Sequence, residues 1–404
     1  MDRAPHSPSP AADLHLVDVS RRFGDVTALD RASLEVRPGE LMSIVGPSGC
    51  GKSTLLQVIA GHLAPDHGHV TIAGTIVADA STALLMPAQQ REVGMVFQDY
   101  ALFPHLSVLE NVAFGITDVG PRSRSMMAVA QRRRRRSRHG LAREVLADIG
   151  IEELADRLPT ELSGGQQQRV AIARAIAQRP RVLLLDEPFC NLDASTREHV
   201  RGEIVDLLRR TELTCVFVTH DQEEALAMSD RVAVMQEGRV LQVAAPEELY
   251  HRPASLAVAQ FLGRTNILTG TARDGFVETA VGRFALAASR DVSGIVEVLV
   301  RPELLDVRAH DDGDVIVEAM EFRGHDVLYT LRLPDGDIVW AHRPSVLTAG
   351  IGQRVLITPQ AGAASLVSIQ SPAPVVADAG RITSSHSGTA LTATRTRAGS
   401  AASL

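Results

Sequence analysis

Leu41-Met-Ser-Ile-Val45 runs directly into Gly46-Pro47-Ser48-Gly49-Cys50-Gly51-Lys52-Ser53-Thr54. A largely apolar run enters a loop of the form G-x-x-x-x-G-K-[ST], and residues 54–60 continue as a helix that stops at Gly61. Strand, glycine loop and helix, in that order, is the context in which the pattern cradles phosphate. Glycines let successive backbone N–H groups turn toward one anion, and the helix start adds its positive end. In such a loop Lys52 reaches the outer phosphates and the Ser53 hydroxyl completes a Mg2+ shell. A glycine turn beside an ordinary surface lysine is the competing explanation, and the flanking patterns speak against it.

A second stretch, Leu162-Ser163-Gly164-Gly165-Gln166, adds a second helix start. Ser163 stands three residues before Gln166, the spacing of a capping box. Val170, Ile172, Ala173, Ile176 and Ala177 carry the helix to about Gln178. Gly164 and Gly165 in its first turn cost about 1 kcal/mol each against Ala. They make sense where something must approach the backbone closely, and at a helix start that is commonly an anion.

Residues 182–185 read as a strand buried on both faces. It delivers Asp186 and Glu187 to its carboxyl end, where ligands of open α/β sheets bind. One carboxylate there holds Mg2+, directly or through water, and the next polarises an attacking water. Phosphoryl transfer needs positioning and charge neutralisation more than covalent chemistry. Another buried run, 214–218, ends at Thr219-His220, and residues 221–228 follow as a helix. Alone, His220 reads as a capped strand-end histidine; beside the other motifs it reads as a contact to the terminal phosphate.

From residue 14 to about 263 this ordered set resembles the ATP-binding subunit of ABC transporters. Residues 46–54 are similar to its Walker A motif, and Gln98 in Val96-Phe97-Gln98-Asp99 to its Q-loop. Residues 162–166 resemble the signature, 182–188 Walker B, Asn191-Leu192-Asp193 the D-loop and His220 the switch histidine. Phe23 sits where the family places an aromatic ring for the adenine, though its position reads equally as core. The resemblance implies an α/β P-loop ATPase core with a helical subdomain at about 99–163. It implies ATP and Mg2+ as cofactors, with Ser53, Gln98 and Asp186 around the metal and Glu187, His220 and Gln98 as the catalytic set. It also implies a head-to-tail homodimer, in which Ser163, Gly164, Gly165 and Gln166 act on ATP bound to the partner.

Beyond residue 263 the pattern changes. Residues 264–370 show short β-like runs at 294–300, 315–317, 327–333, 338–341 and 354–358, separated by turn signals such as Pro334-Asp-Gly336. This spacing predicts a small all-β barrel. It resembles the OB-like regulatory domain of the importer branch, with Val300-Arg301-Pro302-Glu303 and Phe322-Arg323-Gly324 near two recurrent motifs. A dimerising or regulatory module is favoured there over an oligonucleotide or oxyanion site. Residues 1–12 hold three prolines and do not read as a secretory signal. Like the Ala-, Ser-, Thr- and Gly-rich residues 371–404, they are expected to be disordered.

The chain has 404 residues, 45% of them hydrophobic, and a net charge of −7. No apolar stretch approaches the ~18 residues that a membrane span needs. The expected setting is therefore peripheral, on the cytoplasmic face of the cell membrane. There the homodimer would dock on two integral membrane permease subunits served by a periplasmic or extracellular solute-binding protein. Tyr100, Phe103 and His105 are the candidate docking contacts. Cys50, Cys190 and Cys215 offer neither a disulfide framework nor metal spacing, and Cys50 reads as a small bystander in the phosphate loop. Residues 117–140 look like an insertion. Their arginine run, Arg132 to Arg136, is expected as a solvated, self-repelling loop, with contact to anionic lipid as the alternative. Nucleic acid is not an expected partner: the chain is acidic and the run has no interleaved aromatics. Residues 79–90 read as an irregular connector.

The function these features predict is the ATP-hydrolysing motor of a binding-protein-dependent importer. Pro188-Phe-Cys-Asn-Leu-Asp193 resembles the version in ferric-iron importers, while the rest fits polyamine, sulfate or phosphonate systems nearly as well. The alternative is a soluble ABC-type ATPase acting on the ribosome or DNA. Such members commonly fuse two cassettes or carry a long coiled-coil insertion, and this chain has neither. An unrelated P-loop kinase is opposed by residues 162–166.

Overall fold

The computed structural model describes residues 12–116, 127–190, 194–286, 292–345, 348–360 and 362–369. Its central sheet runs in the order Arg239–Ala244, Arg231–Gln236, Leu41–Val45, Thr214–Val218, Val182–Asp186 and Val93–Val96. All neighbours are parallel except the first pair, which is a hairpin. Parallel strands need crossovers, and the helices supplying them cover both faces. Alternate residues of one strand feed two cores. Val182 and Leu184 pack with Leu55, Leu56 and Ile59 of the helix Lys52–Ala60, while Leu183 and Leu185 pack with Val200, Ile204 and Ile172. Each such side chain, fully buried, contributes about 1.5–3 kcal/mol. An antiparallel sheet, led by Leu14–Phe23 and Val26–Val36, closes over the first core. The fold begins no later than Ala12, which is 2% exposed and accepts a hydrogen bond from Thr214.

The helical subdomain packs Val108 and Val112 against Ala142, Val145 and Leu146, and both against Val170 and Ala173 of the helix Gly164–Ile176. The expected arginine loop is instead helix: residues 132–136 lie within Met127–Asp148. Arginine is a good helix former, and the anchored C-terminal turns of that helix propagate back through the run. Residues 117–126 lie outside the described residues. The connector at 79–90 is more regular than expected. Leu84–Leu85 pairs with Ala78 and Asp79, and Ala88–Gln90 forms a single 3-10 turn.

Residues 264–370 hold two β-layers where one barrel was expected. Asn266–Arg273, Phe276–Thr279, Gly282–Leu286, Gly294–Val300 and Ala363–Ile369 close a barrel. Leu305–Ala309, Val315–Phe322, Asp326–Arg332, Ile338–Pro344 and Arg354–Pro359 form a separate five-stranded sheet. Both layers share one hydrophobic core, in which Val296, Val298 and Phe284 meet Val327, Tyr329 and Val339. The predicted barrel is present, but four of the five predicted runs belong to the added sheet, and most of the barrel's own strands lay outside them. Residues 1–11 and 370–404 lie outside the described residues.

Candidate functional site

Three strand ends meet on one edge of the central sheet. Leu41–Val45 runs into the phosphate loop, Val182–Asp186 ends in Asp186 and Glu187, and Thr214–Val218 leads to His220. This is the carboxyl edge, where α/β sheets bind ligands.

The loop's glycines are demanded by close backbone approach. A Cβ on Gly46 would stand 2.1 Å from the Met235 carbonyl oxygen, and one on Gly51, at φ 105°, 2.2 Å from that of Ala28. The helix starts at Lys52, two residues before its sequence-based start, and ends at Gly61 as expected, with φ 86°. Lys52 is 6% exposed. Its Nζ donates to the carbonyls of Gly46 at 2.8 Å and Pro47 at 3.0 Å. The ammonium thus spans its own loop, poised for an anion seated there. Pro47, Ser48 and Gly49 are exposed, Thr54 half-buried and Cys50 buried. Burial pushes the Cys50 thiol up, as an inert bystander requires.

Ser53 Oγ donates to Asp186 Oδ1 at 3.1 Å. Burial raises the Asp186 carboxyl above its ordinary range, and the Ser53 hydrogen bond only partly offsets this. An undercompensated carboxylate beside a hydroxyl is a hard-oxygen pair suited to a divalent cation. Asp186 also lines, with Phe97, Gln98 and Asp99, an open cleft of about 370 Å³. Gln98 is exposed in this cleft, and its side chain hydrogen-bonds Cys190.

Glu187 adopts a left-handed backbone, φ 46°, fastened by its N–H to the Val218 carbonyl at 3.0 Å. A non-glycine residue there stores strain of order 1 kcal/mol. The result aims the carboxylate at the neighbouring strand end, where His220 Nδ1 lies 3.2 Å from Glu187 Oε2. Sequence reading missed what holds His220. Thr219 Oγ1 donates to the buried Glu224 Oε2 at 2.7 Å and accepts the Asp221 N–H at 3.0 Å. Burial raises the Glu224 carboxyl. The only signal in sequence was a carboxylate one helical turn inside the helix that Asp221 caps.

Ser163 forms the predicted reciprocal cap. Its Oγ accepts from Gln166 N at 3.4 Å, while Gln166 Oε1 accepts from Ser163 N at 3.0 Å. The helix runs Gly164–Ile176, slightly short of expectation. Ser163 is exposed, with Gly164 half-buried and Gly165 buried. Phe23, read equally as core, is 46% exposed. Tyr100 moves the other way: a candidate docking contact, it is 4% exposed and part of the core. His105 remains exposed, Phe103 is half-buried, and Phe114, 63% exposed, packs its ring at a tilt against Phe103, centroids 4.5 Å apart. Asp193 lies outside the described residues.

The chain is similar in sequence to known proteins over most of its length. The family described as ABC transporter matches residues 29–190, and that described as TOBE domain matches 298–367. The spermidine/putrescine import ATP-binding protein PotA of Rubrobacter xylanophilus is 44% identical over 343 residues, 82% of this chain and 86% of that protein. The Fe(3+) ions import ATP-binding protein FbpC of Agrobacterium fabrum is 43% identical over 72% of this chain and 79% of its own length. The trehalose/maltose import ATP-binding protein MalK of Thermococcus litoralis is 40% identical, covering 78% and 83%. Among the described residues no helix is long and apolar enough to cross a membrane. This chain belongs to the ABC transporter family, as an ATP-hydrolysing import ATP-binding subunit.

Proposed function

We propose that two copies of this chain close head to tail on ATP and Mg2+, and that the closing drives solute uptake through two separate permease subunits at the cytoplasmic face of the membrane. The convergence of Ser53, Asp186, Glu187 and His220 on one sheet edge carries this reading. The phosphate loop, from Gly46 to Thr54, takes the phosphates, with Lys52 on the outer ones. Ser53, Asp186 and Gln98 hold Mg2+, which neutralises phosphate charge when bound. Glu187 orients the attacking water, and His220 and Gln98 read the terminal phosphate. Ser163, Gly164, Gly165 and Gln166 serve the nucleotide of the other copy: their cap is exposed, and the phosphate loop already wraps the nucleotide in its own copy. Asp193, outside the described residues, is assigned to the D-loop by its sequence alone.

Phe23 is the platform for the base. Its hairpin rises beside the phosphate loop, since the Ala28 carbonyl packs on Gly51 and Val26 pairs with Phe23. Phe103, His105 and Phe114 form the face offered to the permeases. The cargo class we favour is polyamine, supported by relatives such as PotA at 44% identity. Ferric iron is the second reading, supported by FbpC at 43% and by the stretch from Pro188 to Asp193.

The test is a pull-down of tagged Glu187→Gln with ATP from detergent-solubilised membranes of the native cell. Polytopic permeases and a solute-binding protein are expected, and a ligand assay on the latter names the cargo. Recovery of ribosomal or DNA-repair proteins with nothing from the membrane would overturn the reading. Ser163→Arg should spare ATP binding yet block ATP-driven dimerisation; unchanged dimerisation counts against the head-to-tail arrangement.

A further inference from the structure

Phe23 is 46% exposed, and the Arg21 guanidinium lies over its ring, 5.1 Å from the centroid. Arg21 is itself held: its Nη1 donates to Asp66 Oδ1 at 2.7 Å. The second oxygen of Asp66 accepts the Arg22 backbone N–H, also at 2.7 Å, and the Asp66 N–H donates to the Ser20 carbonyl at 2.8 Å. One carboxylate therefore fixes both the cation and the strand that carries the ring. None of these residues belongs to a phosphate or metal contact described above.

We propose that Arg21, braced by Asp66, is a positioning residue for the nucleotide base: it backs one face of Phe23 so that the purine stacks on the other. The proposal rests on the reading of Phe23 as the base platform. A cation over one face draws on the ring's negative quadrupole and leaves the far face a better partner for an electron-rich purine. A ring backed on one side also has fewer orientations to lose when the base docks. Because Asp66 pairs with Arg21, its charge is largely neutralised at source. Its effect should therefore travel through the ring, not through long-range attraction for phosphate.

The experiment compares binding of MgATP with that of inorganic tripolyphosphate plus Mg2+, which has phosphates but no base. It uses the full chain as wild type, Arg21→Ala, Arg21→Lys, Phe23→Ala and the Arg21→Ala/Phe23→Ala double variant. Arg21→Ala is expected to weaken ATP roughly 2- to 5-fold and leave tripolyphosphate unmoved, with the loss falling on KM more than on kcat. Arg21→Lys should recover part of it, and in the Phe23→Ala background removal of Arg21 should add nothing. If Phe23→Ala weakens ATP but Arg21→Ala does not, the proposal fails while the platform stands. If Phe23→Ala itself has no effect, the platform reading fails first. Equal loss for ATP and tripolyphosphate assigns Arg21 to phosphate electrostatics and overturns the proposal. Tighter ATP binding by Arg21→Ala also overturns it, since Arg21 would then occupy the base's own face.

Discussion

His220 Nδ1 and Glu187 Oε2 stand 3.2 Å apart although 33 residues separate them in sequence. Each sits just past the end of a strand, and those two strands are adjacent and parallel, so the sheet itself sets the contact. The two side chains form one hydrogen-bonded unit, and in the function proposed above that unit acts on the terminal phosphate.

Glu187→Gln should therefore bind ATP and lose ~10²–10⁴ in kcat, the range for removing a positioned general base. His220→Ala should lose a comparable factor. Residues acting as a unit are non-additive, so the double variant should fall little below the worse single one. Single-turnover hydrolysis measures all three; fully multiplicative losses would mean the two act independently.

Asp186 carries a different signature. Burial holds its carboxyl above the ordinary range, so ionisation costs the nucleotide-free fold stability. That cost is absent below the unfolded-state pKa, grows as pH rises from there and levels off above the folded-state pKa. Asp186→Asn should abolish hydrolysis yet raise the Tm of the nucleotide-free protein at pH 7 by ~1–3 °C, with the gain shrinking as pH falls toward the unfolded-state pKa. Thermal melts across pH check this, and a gain independent of pH would point away from the charge.

Arg174 ties the signature helix to the turn after Gln98. Its guanidinium donates to the carbonyls of Ala101 at 2.6 Å and Tyr100 at 2.9 Å, and lies 5.9 Å from the Phe103 ring centroid. Tyr100 and Ala101 are both left-handed, at φ 61° and 45°. Arg174→Ala removes two charge-assisted bonds from a strained turn and should cost about 2–3 kcal/mol, read from the urea midpoint. Arg174→Lys, lacking the planar fork, should recover less than half. Full recovery by lysine would assign the effect to charge alone.

Arg301 fastens the C-terminal domain. It is 2% exposed, donates to the carbonyls of Ala259 and Tyr250 at 3.1 Å each, and stacks on the Tyr250 ring at 4.1 Å. Tyr250 in turn donates its hydroxyl to Glu303 at 2.8 Å. Burial, with Glu303 adding, pushes the Tyr250 phenol up to about 12, so the latch stays closed through the physiological range. Arg301→Ala should speed proteolysis near residue 263 and split the calorimetric transition in two while ATP binding persists. A single unshifted transition would mean the domains hold together elsewhere.

The motifs were legible because their chemistry is local. A glycine loop before a lysine, a serine three residues ahead of a glutamine, and an aspartate ending an apolar run each carry their geometry in consecutive residues. Phe23 and Tyr100 were not, because an aromatic's burial depends on what packs over it. Phe23 ends a hairpin and stays open, whereas Tyr100 is folded inward by the turn that Arg174 holds. Most of the predicted barrel's strands escaped for a related reason: Gly282–Leu286 pairs in parallel with Ala363–Ile369 across almost eighty intervening residues.

By itself, then, the sequence determined the phosphate loop, the helix cap at Ser163, the carboxylates at the strand end and the division near residue 263, since each follows from backbone preference and side-chain chemistry within a few positions. Only the tertiary structure decided that Ser53 meets Asp186, that Glu187 faces His220, that Arg21 backs Phe23 and that the C-terminal domain is a barrel joined to a second sheet. Those relationships depend on which distant strands become neighbours, and that is set by burial of the whole apolar surface, which no local pattern encodes.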